Sequence, residues 1–346
     1  MTVISETKAG VHIPGEWEPH SRCLMAWAVH KEWGKSTAEV KRELADLIRT
    51  ISRFEPVALL TPPGNSAEAR DLFDGHGVEI IEAPVDDIWM RDVAPTFVVL
   101  SDGTLGAIDW NFNSWGKTRT PRPGDMAAEP ITDLFKARRL SPAFVAEGGA
   151  FAFDGNGTAI TTRSCLLNDN RNPVGFTADR QAHIEAELKK VGVRQVIWLE
   201  GDPSEPVTSG HVDGYVLCAP DNVILVESIE DPDPKVGPPF WREHDIDLLS
   251  RARDADGRPY KVMRVAAPRS KFWASGSKYF APCYLNAFIS DKAVIIPRFG
   301  DDERDAAARE AFTEAFPGRV VEMISIDHIA AGGGGIHCLT QPIPLI

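Results

Sequence analysis

Hydrophobic residues recur at the spacing of an α-helix in four stretches of the chain. In the first stretch, 36–54, apolar residues such as Leu44 and Ile51 share one face, which is the pattern of an amphipathic helix. The other helical patterns lie at 177–192, at 301–318 and, more weakly, at 242–253. Short apolar runs of strand length lie at 57–60, 78–84, 195–201, 260–268 and 320–327. This succession predicts a mixed α/β fold without a long linker.

A second pattern recurs along the chain, in which a polar residue precedes a strand, a tight turn and another strand. It occurs at 91–109, 147–162, 210–227 and 284–297. The turns read SDG, DGNG, APDN and SDK, which are typical of β-hairpins. A fifth polar-then-apolar segment begins at GGGGIHC, residues 332–338. The leading polar residues of the five segments are Asp92, Glu147, His211, Asn286 and Cys338.

This recurrence predicts about five similar units, each combining a hairpin, a helix and a further strand (ββαβ). Five units arranged in a ring would bring the leading polar residues together at its centre. We therefore expect a five-bladed, pseudo-symmetric α/β propeller, in which residues 1–346 form a single catalytic domain.

Charge and cysteine content restrict the classes of partner and compartment. The net charge is −13, which disfavours nucleic acid and anionic membrane surfaces and favours a small cationic substrate. The five cysteines are scattered without a CxxC pair, so we do not expect a disulfide framework. The N-terminal MTVISETKAG has no apolar signal-peptide core, and no apolar run approaches the ~18 residues of a membrane-spanning helix. These features predict a cytoplasmic protein without a membrane or nucleic-acid partner.

Cys338 has two interpretations. Most cysteines are small buried hydrophobes, whereas the glycines before Cys338 permit close backbone approach and can direct N–H groups at a thiolate. The second interpretation makes Cys338 a nucleophile. If the segment is a strand, its alternation sends His337 to the opposite face, so we do not expect His337 to be the partner of Cys338.

His211 and Asp213 in GHVDG lie at positions i and i+2, which places them on one face of a strand. A carboxylate beside a histidine fixes its tautomer and raises its basicity, as a general acid/base requires. The alternatives are a surface or capping pair, and a metal site formed with Cys338 or His337. Because the sequence offers no further ligands at suitable spacing, we expect no metal.

Two more carboxylates and a tryptophan belong to the candidate site. Asp92 begins an apolar run, where a carboxylate is costly to bury without a partner. Glu147 precedes an apolar strand and is therefore a candidate site carboxylate. The alternative is that Glu147 is a turn residue paired with an arginine. Trp89 is either a core residue or a flat surface beneath a planar cation. The other thiols, such as Cys165, have apolar neighbours and are expected in the core.

Carboxylates near a cysteine raise its pKa and disfavour the thiolate. That arrangement suits a protease poorly, but it suits a substrate that is itself a cation. A guanidinium held by two aspartates would neutralise them and present an electrophilic carbon to the sulfur.

The motifs WMRD-x-x-PTF, EGG, NRNP, GHVD, YLN and GGG-x-IHC-x-TQ occur in this order, and together they resemble those of the agmatine deiminases (agmatine iminohydrolases). These enzymes belong with the bacterial-type peptidylarginine deiminases in the guanidine-modifying superfamily. The resemblance runs from the EW-x-PH segment near residue 16 to the C-terminus. It implies the five-bladed propeller of the pentein fold and hydrolysis through a covalent intermediate, without a metal or other cofactor. It also implies a small guanidinium substrate, and it allows a homodimer.

The resemblance further implies a role for each candidate residue. Cys338 is the implied nucleophile, His211 the acid/base, and Glu147 the residue that orients the histidine. Asp213 is also implied to take part in catalysis. The residues implied to bind the guanidinium group are Asp92, Asp213 and Trp89.

Several positions depart from the family pattern and bear on the substrate. Ala150 and Gly335 stand where the family usually has asparagine. The loop KTRTPRPGD supplies Lys117 and Arg119, where relatives tend to have acidic and tyrosine residues. As substrate-binding residues, these cations would repel an amine tail and favour a carboxylate-bearing guanidine, whereas a solvated loop would not affect the choice. An arginine-type deiminase and an amidinotransferase therefore stay open beside agmatine hydrolysis.

Overall fold

The computed structural model of the protein describes residues 10–173, 175, 177–230 and 240–346. Within these residues the strands form five small sheets. Each sheet contains an antiparallel pair and a further strand that runs parallel to one member of that pair. A helix crosses over between the two parallel strands, as a parallel connection requires. This is the predicted ββαβ unit, and its fivefold recurrence makes the fold a five-bladed α/β propeller.

The strands, in chain order, are β1 (Val11–His12), β2 (His20–Ala26), β3 (Val57–Thr61), β4 (Val78–Glu82), β5 (Thr96–Leu100), β6 (Leu105–Ile108), β7 (Arg138–Leu140), β8 (Ala152–Phe153), β9 (Thr158–Thr162), β10 (Gln195–Leu199), β11 (Val216–Ala219), β12 (Val223–Ser228), β13 (Lys261–Ala266), β14 (Phe288–Ile289), β15 (Ala293–Arg298), β16 (Val320–Ser325) and β17 (Gln341–Pro344). The sheet orders are β17-β2-β3-β4, β1-β5-β6-β7, β8-β9-β10, β11-β12-β13 and β14-β15-β16. Because β17 pairs with β2, the last strand completes the blade that the first residues begin.

The helices, in chain order, are α1 (Thr37–Ser52), α2 (Ala67–Phe73), α3 (Met90–Val93), α4 (Ser114–Lys117), α5 (Ala128–Leu134), α6 (Arg163–Leu166), α7 (Arg180–Lys190), α8 (Phe240–Arg251), α9 (Asp302–Ala315), α10 (Asp327–Ala330) and α11 (Ile336–Leu339). The crossover helices of the five blades are α1, α5, α7, α8 and α9. The four helices predicted from periodicity are confirmed as α1, α7, α8 and α9. The crossover α5 was not predicted, because a seven-residue helix that contains a proline shows little periodicity.

The five predicted strands are confirmed as β3, β4, β10, β13 and β16, each within a few residues of its expected ends. The strands expected at GHVDG and GGGGIHC are wrong. Val212–Gly214 forms a 3-10 turn, and Ile336–Leu339 is the one-turn helix α11. In α11 the N–H groups of Ile336 and His337 donate to the carbonyl oxygen of Asn286 at 3.1 and 3.3 Å. These donors are therefore satisfied by the neighbouring blade rather than by a strand partner.

Buried apolar residues fill the faces of the blades. α1 shows how the sequence produces this packing, because Val40, Leu44, Leu47 and Ile51 are all fully or nearly fully buried and lie on one face at helical spacing. They pack in the same apolar cluster as β3. Across the described ranges, no helix combines the length and apolar composition that crossing a membrane requires.

Candidate active site

Short turns at the start of the inner strands carry the candidate site residues. The one-turn helix α3 leads into β5 and holds Asp92, and Glu147 precedes a 3-10 turn (Gly148–Ala150) that leads into β8. The 3-10 turn Val212–Gly214 leads into β11, and α11 leads into β17. A cleft of about 520 Å³ borders this set of turns and is lined by Trp89, Asp92 and Cys338 among others. The blades thus bring together residues that lie far apart in the sequence, as the predicted ring requires.

The Cys338 thiol is partly exposed to this cleft. Asn286 Nδ2 donates to its Sγ at 3.2 Å, and the Cys338 backbone N–H donates to Asn286 Oδ1 at 3.2 Å. The Sγ also lies 3.6 Å from Asp213 Oδ2. Burial, followed by the charges of Asp213 and Asp92, raises the pKa of Cys338 well above its ordinary value. The sulfur is therefore a thiol near neutral pH.

His211 lies among three carboxylates. Its Nε2 lies 3.1 Å from Glu147 Oε2, and its Nδ1 lies 3.9 Å from both Asp92 Oδ2 and Asp213 Oδ1. Burial alone lowers the pKa of His211, but the charge of Asp92 and hydrogen bonds to Cys165 and Glu147 raise it well above the ordinary value. The imidazole is consequently protonated near neutral pH and is able to donate a proton.

Glu147 is fully buried between His211 and an arginine that the sequence analysis did not single out. Arg171 Nε donates to both Glu147 oxygens, at 3.0 and 2.9 Å, and both side chains are completely inaccessible to solvent. Burial raises the pKa of Glu147, but Arg171 and His211 more than offset this and the net pKa is lowered. The expected contact with the histidine and the alternative pairing with an arginine are thus both present.

Asp92 is held by two hydrogen bonds. Trp115 Nε1 donates to Oδ2 at 2.7 Å, and the Gly149 N–H donates to Oδ1 at 2.9 Å. A Cβ at position 149 would come within 2.9 Å of His211, Asp213 and Asp92. Glycine is therefore needed here to let the three groups converge. Burial is the main reason that the pKa of Asp92 is raised, with the charges of its carboxylate neighbours adding to it.

Asp213 belongs to a charged chain that extends away from the cleft. Its Oδ2 lies 2.8 Å from His337 Nδ1, and His337 Nε2 lies 2.8 Å from Glu16 Oε1. Arg91 donates to both oxygens of Glu16, at 2.8 and 3.3 Å. Cys338 lines the cleft, whereas His337 lines a small separate cavity with Glu16. The two side chains therefore line different cavities, but both reach Asp213 Oδ2, so the opposite faces expected of a strand are not found in this helical segment.

The glycines before Cys338 make room for the walls of the site. A Cβ at Gly334 would lie 2.6 Å from the Trp89 ring, and a Cβ at Gly335 would lie 2.6 Å from Asn286 Oδ1. Gly334 thus lets the backbone approach Trp89, and Gly335 leaves space for the amide that binds Sγ. Glycine at 335, where the family usually has asparagine, therefore leaves the room that the Asn286 side chain occupies. Ala150, the other departure, is fully buried in an apolar cluster.

The basic loop differs from its expected arrangement. Lys117 is exposed and lies outside the cleft lining, so the expectation that it contacts the substrate is not met. Lys117 is the last residue of α4, a left-handed turn in which every residue has a positive φ. Arg119 does line the cleft, stacks over Trp115 at 5.0 Å, and donates to Asp125 at 2.5 and 3.0 Å.

One group of side chains in the described residues has ligand atoms close enough to hold a metal ion. It consists of Glu147, Cys165 and His211, whose ligand atoms lie within 4.8 Å of one another. The guanidinium of Arg171 already supplies a positive charge to both oxygens of Glu147. An added divalent cation would face this charge, so the group fits a hydrogen-bonded network better than a metal centre. Cys165 lies in an apolar core, as expected, but its sulfur also faces this network.

Several site residues escaped the reasoning from individual residue types. They are Glu16, Arg91, Trp115 and Arg171, while Asn286 was recognised only as a leading polar residue of the repeat. Glu16, Arg91, Arg171 and Asn286 lie inside quoted motifs, namely EW-x-PH, WMRD, NRNP and YLN, and Trp115 lies in FNSWG (112–116), just before the basic loop. The motifs therefore contained the signal, but nothing in the residue types alone distinguished these positions from ordinary surface or core residues.

Comparisons with known proteins agree with this geometry. The family model for Porphyromonas-type peptidyl-arginine deiminases matches residues 12–344. The chain is 34% identical to an agmatine deiminase of Medicago truncatula, with 97% of each chain covered. It is 33% identical to an agmatine deiminase of Pseudomonas aeruginosa, with 97% of this chain and 96% of the relative covered. The solved agmatine deiminase of Enterococcus faecalis superposes with a TM-score of 0.87 at 28% identity, over 97% of this chain and 96% of that one.

Proposed function

Because this chain belongs to the Porphyromonas-type peptidyl-arginine deiminase family, whose members are hydrolases of C–N bonds, we propose that it hydrolyses an agmatine-type guanidine to a ureido product and ammonia. The observation that carries this proposal is the convergence of one thiol, one protonated imidazole and two carboxylates at one cleft. The agmatine deiminases among its relatives support agmatine as the first substrate to test.

Substrate binding is the step that activates the sulfur in this proposal. A guanidinium group placed between Asp92 and Asp213 neutralises the two charges that raise the pKa of Cys338. The pKa of the thiol falls as a result, its proton passes to solvent in the cleft to which Cys338 is exposed, and the thiolate forms beside the guanidinium carbon. Trp89 forms one flat wall for the planar cation. The same cation thus creates the nucleophile and receives its attack.

The chemistry then proceeds through a covalent intermediate. Cys338 Sγ attacks the guanidinium carbon, and His211 donates its proton to the nitrogen that leaves as ammonia. An S-alkylthiouronium remains, and Asp92 and Asp213 hold its charge. The neutral His211 next takes a proton from water, which attacks the same carbon and expels the thiolate. With agmatine as the substrate, the product is N-carbamoylputrescine.

The charge balance at the outer cleft supports an amine-bearing tail. Arg122 pairs with Glu32 and Asp87, and Arg119 pairs with Asp125. The two arginines therefore do not create a free cationic surface. Burial raises the pKa of Asp87 to about 6, so this carboxylate is mainly ionised at neutral pH. Three carboxylates then face the two arginines, and the group keeps a net negative charge that attracts a positive tail.

A carboxylate-bearing guanidine, such as arginine or a peptidyl-arginine, is the second candidate. Arg119 Nε is buried and has no hydrogen-bond partner within the described residues. An unpaired buried donor is costly, and a substrate carboxylate at the cleft would satisfy it. An amidinotransferase reaction, in which an amine replaces water, stays a less favoured alternative from the sequence analysis.

An ammonia-release screen tests the proposal. The panel contains agmatine, arginine, arginine peptides and guanidino acids, each assayed with the wild-type protein and with Cys338→Ala. We expect agmatine to be turned over with the highest kcat/KM, and Cys338→Ala to be inactive. Turnover that survives in Cys338→Ala contradicts covalent catalysis, and a preference for the carboxylated guanidines identifies Arg119 as the tail-binding group instead.

A further inference from the structure

His337 takes no part in the chemistry proposed above, yet it is only 3% exposed and both of its ring nitrogens are engaged. It links Asp213, whose Oδ2 lies 3.6 Å from Cys338 Sγ, to Glu16, and these two carboxylates line the small separate cavity together with His337. Arg91 holds Glu16 through two hydrogen bonds, and its Nε also lies 3.4 Å from the His337 carbonyl oxygen. The result is a chain of four groups whose charges alternate, with Asp213 as its catalytic end.

The chemistry of its neighbours fixes the protonation of this imidazole. Carboxylates only accept hydrogen bonds when ionised, so each ring nitrogen must carry a hydrogen to satisfy both contacts. The charged groups that face the ring are Glu16 from the segment after β1, Arg91 from α3, and Asp213 from the 3-10 turn before β11. Burial and Arg91 lower the pKa of His337. Glu16 and Asp213 raise it by more than this, so the net pKa is raised. The ring is therefore an imidazolium.

This imidazolium distinguishes Asp213 from the other guanidinium-binding carboxylate. Burial raises the pKa of both Asp92 and Asp213, but for Asp213 the hydrogen bond and charge of His337 reverse the effect and the net pKa is lowered. The His337 contact also fixes Oδ2, so that Oδ1 is oriented towards His211. Asp213 thus stays charged beside Cys338 in a buried site that would otherwise favour its neutral form.

We propose that His337 is a positioning residue that keeps the guanidinium-binding carboxylate of Asp213 charged and oriented, and that Glu16, held by Arg91, keeps His337 doubly protonated. This assigns a role in substrate binding to the EWEPH segment, which lies outside the cleft lining. The inference rests on the proposed guanidine hydrolysis. It adds that the affinity for the guanidinium group depends on a carboxylate on the far side of Asp213.

The test is the pH profile of kcat/KM for Glu16→Gln with agmatine. Removal of the Glu16 charge lowers the pKa of His337, so the variant loses the imidazolium at a lower pH than the wild-type enzyme. At pH 8 we expect kcat/KM to fall by at least about 30-fold, mainly through KM, as one partner of a buried charge pair is removed. At pH 6 the histidine is protonated again, and the deficit should shrink to about threefold.

Asp301→Asn is the matched control, because Asp301 is a buried carboxylate that pairs with Arg269 and does not contact Asp213, His337 or Glu16. Its pH profile should coincide with that of the wild-type enzyme, even if the variant is less stable. The inference is overturned if the pH profile of Glu16→Gln has the same shape as that of the wild-type enzyme, even if kcat/KM is lower by a constant factor at every pH. If the wild-type protein turns over no guanidine, the proposed function itself is wrong, which is a distinguishable result.

A binding measurement gives an independent readout if Glu16→Gln does not fold. In the Cys338→Ala background, agmatine affinity is measured by calorimetry with and without His337→Asn. Asparagine keeps a donor near the position of Nδ1, but it loses the positive charge and the contact with Glu16. We expect the affinity to weaken by at least about tenfold, whereas unchanged affinity contradicts the positioning role.

Discussion

Cys338 lies in an electrostatic setting that disfavours its thiolate. Asp213 and Asp92 both raise its pKa, while Asn286 donates to the sulfur without supplying a charge. Nucleophilic cysteines of other enzyme classes have lowered pKa values because positive groups surround them. In the proposed mechanism the positive group is the substrate, and the reactivity of the thiol would then be specific to guanidinium compounds.

The pH dependence of alkylation tests this view of the free enzyme. The other four cysteines are buried, so iodoacetamide should modify Cys338 first. We expect the rate to be low at neutral pH and to rise only above the ordinary thiol pKa. Asp213→Asn removes a negative charge beside the sulfur and should move the rise to lower pH. Asp109→Asn, at a carboxylate that binds Arg139, should leave it unchanged.

Arg171 is the residue whose removal should most affect stability at the site. It is fully buried with Glu147, and removal of one partner of a buried ion pair costs about 3–5 kcal/mol. We expect Arg171→Met to lower the free energy of unfolding by that amount, as measured by denaturant titration at pH 7. Arg138→Met, which breaks the exposed pair with Asp102, is the control and should have little effect. Equal effects of the two variants would contradict the structural account of Glu147.

At the scale of elements, the left-handed turn α4 positions Asp92, the carboxylate proposed to bind the guanidinium group. Ser114, Trp115, Gly116 and Lys117 have φ values of 63°, 54°, 75° and 63°. Each non-glycine residue in this conformation costs about 1–2 kcal/mol. The turn is stabilised by Asn113, whose side chain accepts from the Gly116 N–H at 2.7 Å. Strain of this kind persists where surrounding contacts enforce it, and here it directs the Trp115 N–H at Asp92.

Trp115→Phe tests whether that hydrogen bond matters for binding. The substitution keeps an aromatic ring but removes the donor to Asp92 Oδ2. A hydrogen bond to a charged group contributes about 1.5–3 kcal/mol, so KM for agmatine should rise about tenfold or more. Trp110→Phe is matched to it, since Trp110 donates to Thr96 Oγ1 at 2.8 Å outside the cleft. An unchanged KM for Trp115→Phe, or an equal rise for both, would contradict this role.

The sequence predicted elements well where one pattern determined them. The helices α1, α7 and α9 follow from periodicity, and the hairpins follow from their turn residues. The short turns around His211 and Cys338 were predicted as strands, because alternation within a few residues does not distinguish a strand from a helical turn. The left-handed turn α4 was not predicted either, since its conformation depends on contacts with Asn113 and Asn170.

At the scale of the whole molecule, the ring joins the two ends of the chain. β17 directly follows α11, the one-turn helix that holds Cys338, and pairs with β2 in an antiparallel register. Glu16 and His337 make a second connection between the same two ends. The candidate site therefore depends on ring closure, because Cys338 contacts Asn286 and Asp213, which belong to two other blades.

Calorimetry tests the prediction that residues 1–346 form a single domain. Because each blade packs against its neighbours and the ends are joined, we expect one cooperative unfolding transition. The calorimetric and van't Hoff enthalpies should then agree. Two resolved transitions in the full-length protein would show that part of the ring unfolds independently, and the single-domain prediction would be wrong.

The positions of the catalytic candidates could be predicted because the repeat brings one polar residue of each blade to the same place. The roles of Arg171, Trp115 and Glu16 could not, because each acts through a contact with a residue that is distant in the sequence. Such contacts depend on how the turns and crossover segments of the blades pack in three dimensions, which no local pattern specifies. Lys117 illustrates the same limit, since its charge indicated a site residue but its backbone conformation turns it outwards.

Mass spectrometry of the acid-quenched enzyme during agmatine turnover tests the central claim most directly. The account predicts that Cys338, and no other residue, carries an adduct whose mass equals that of agmatine less one ammonia. The adduct should disappear when the substrate is exhausted and should be absent from Cys338→Ala. Steady release of ammonia without an adduct on Cys338, together with activity in Cys338→Ala, would contradict the account.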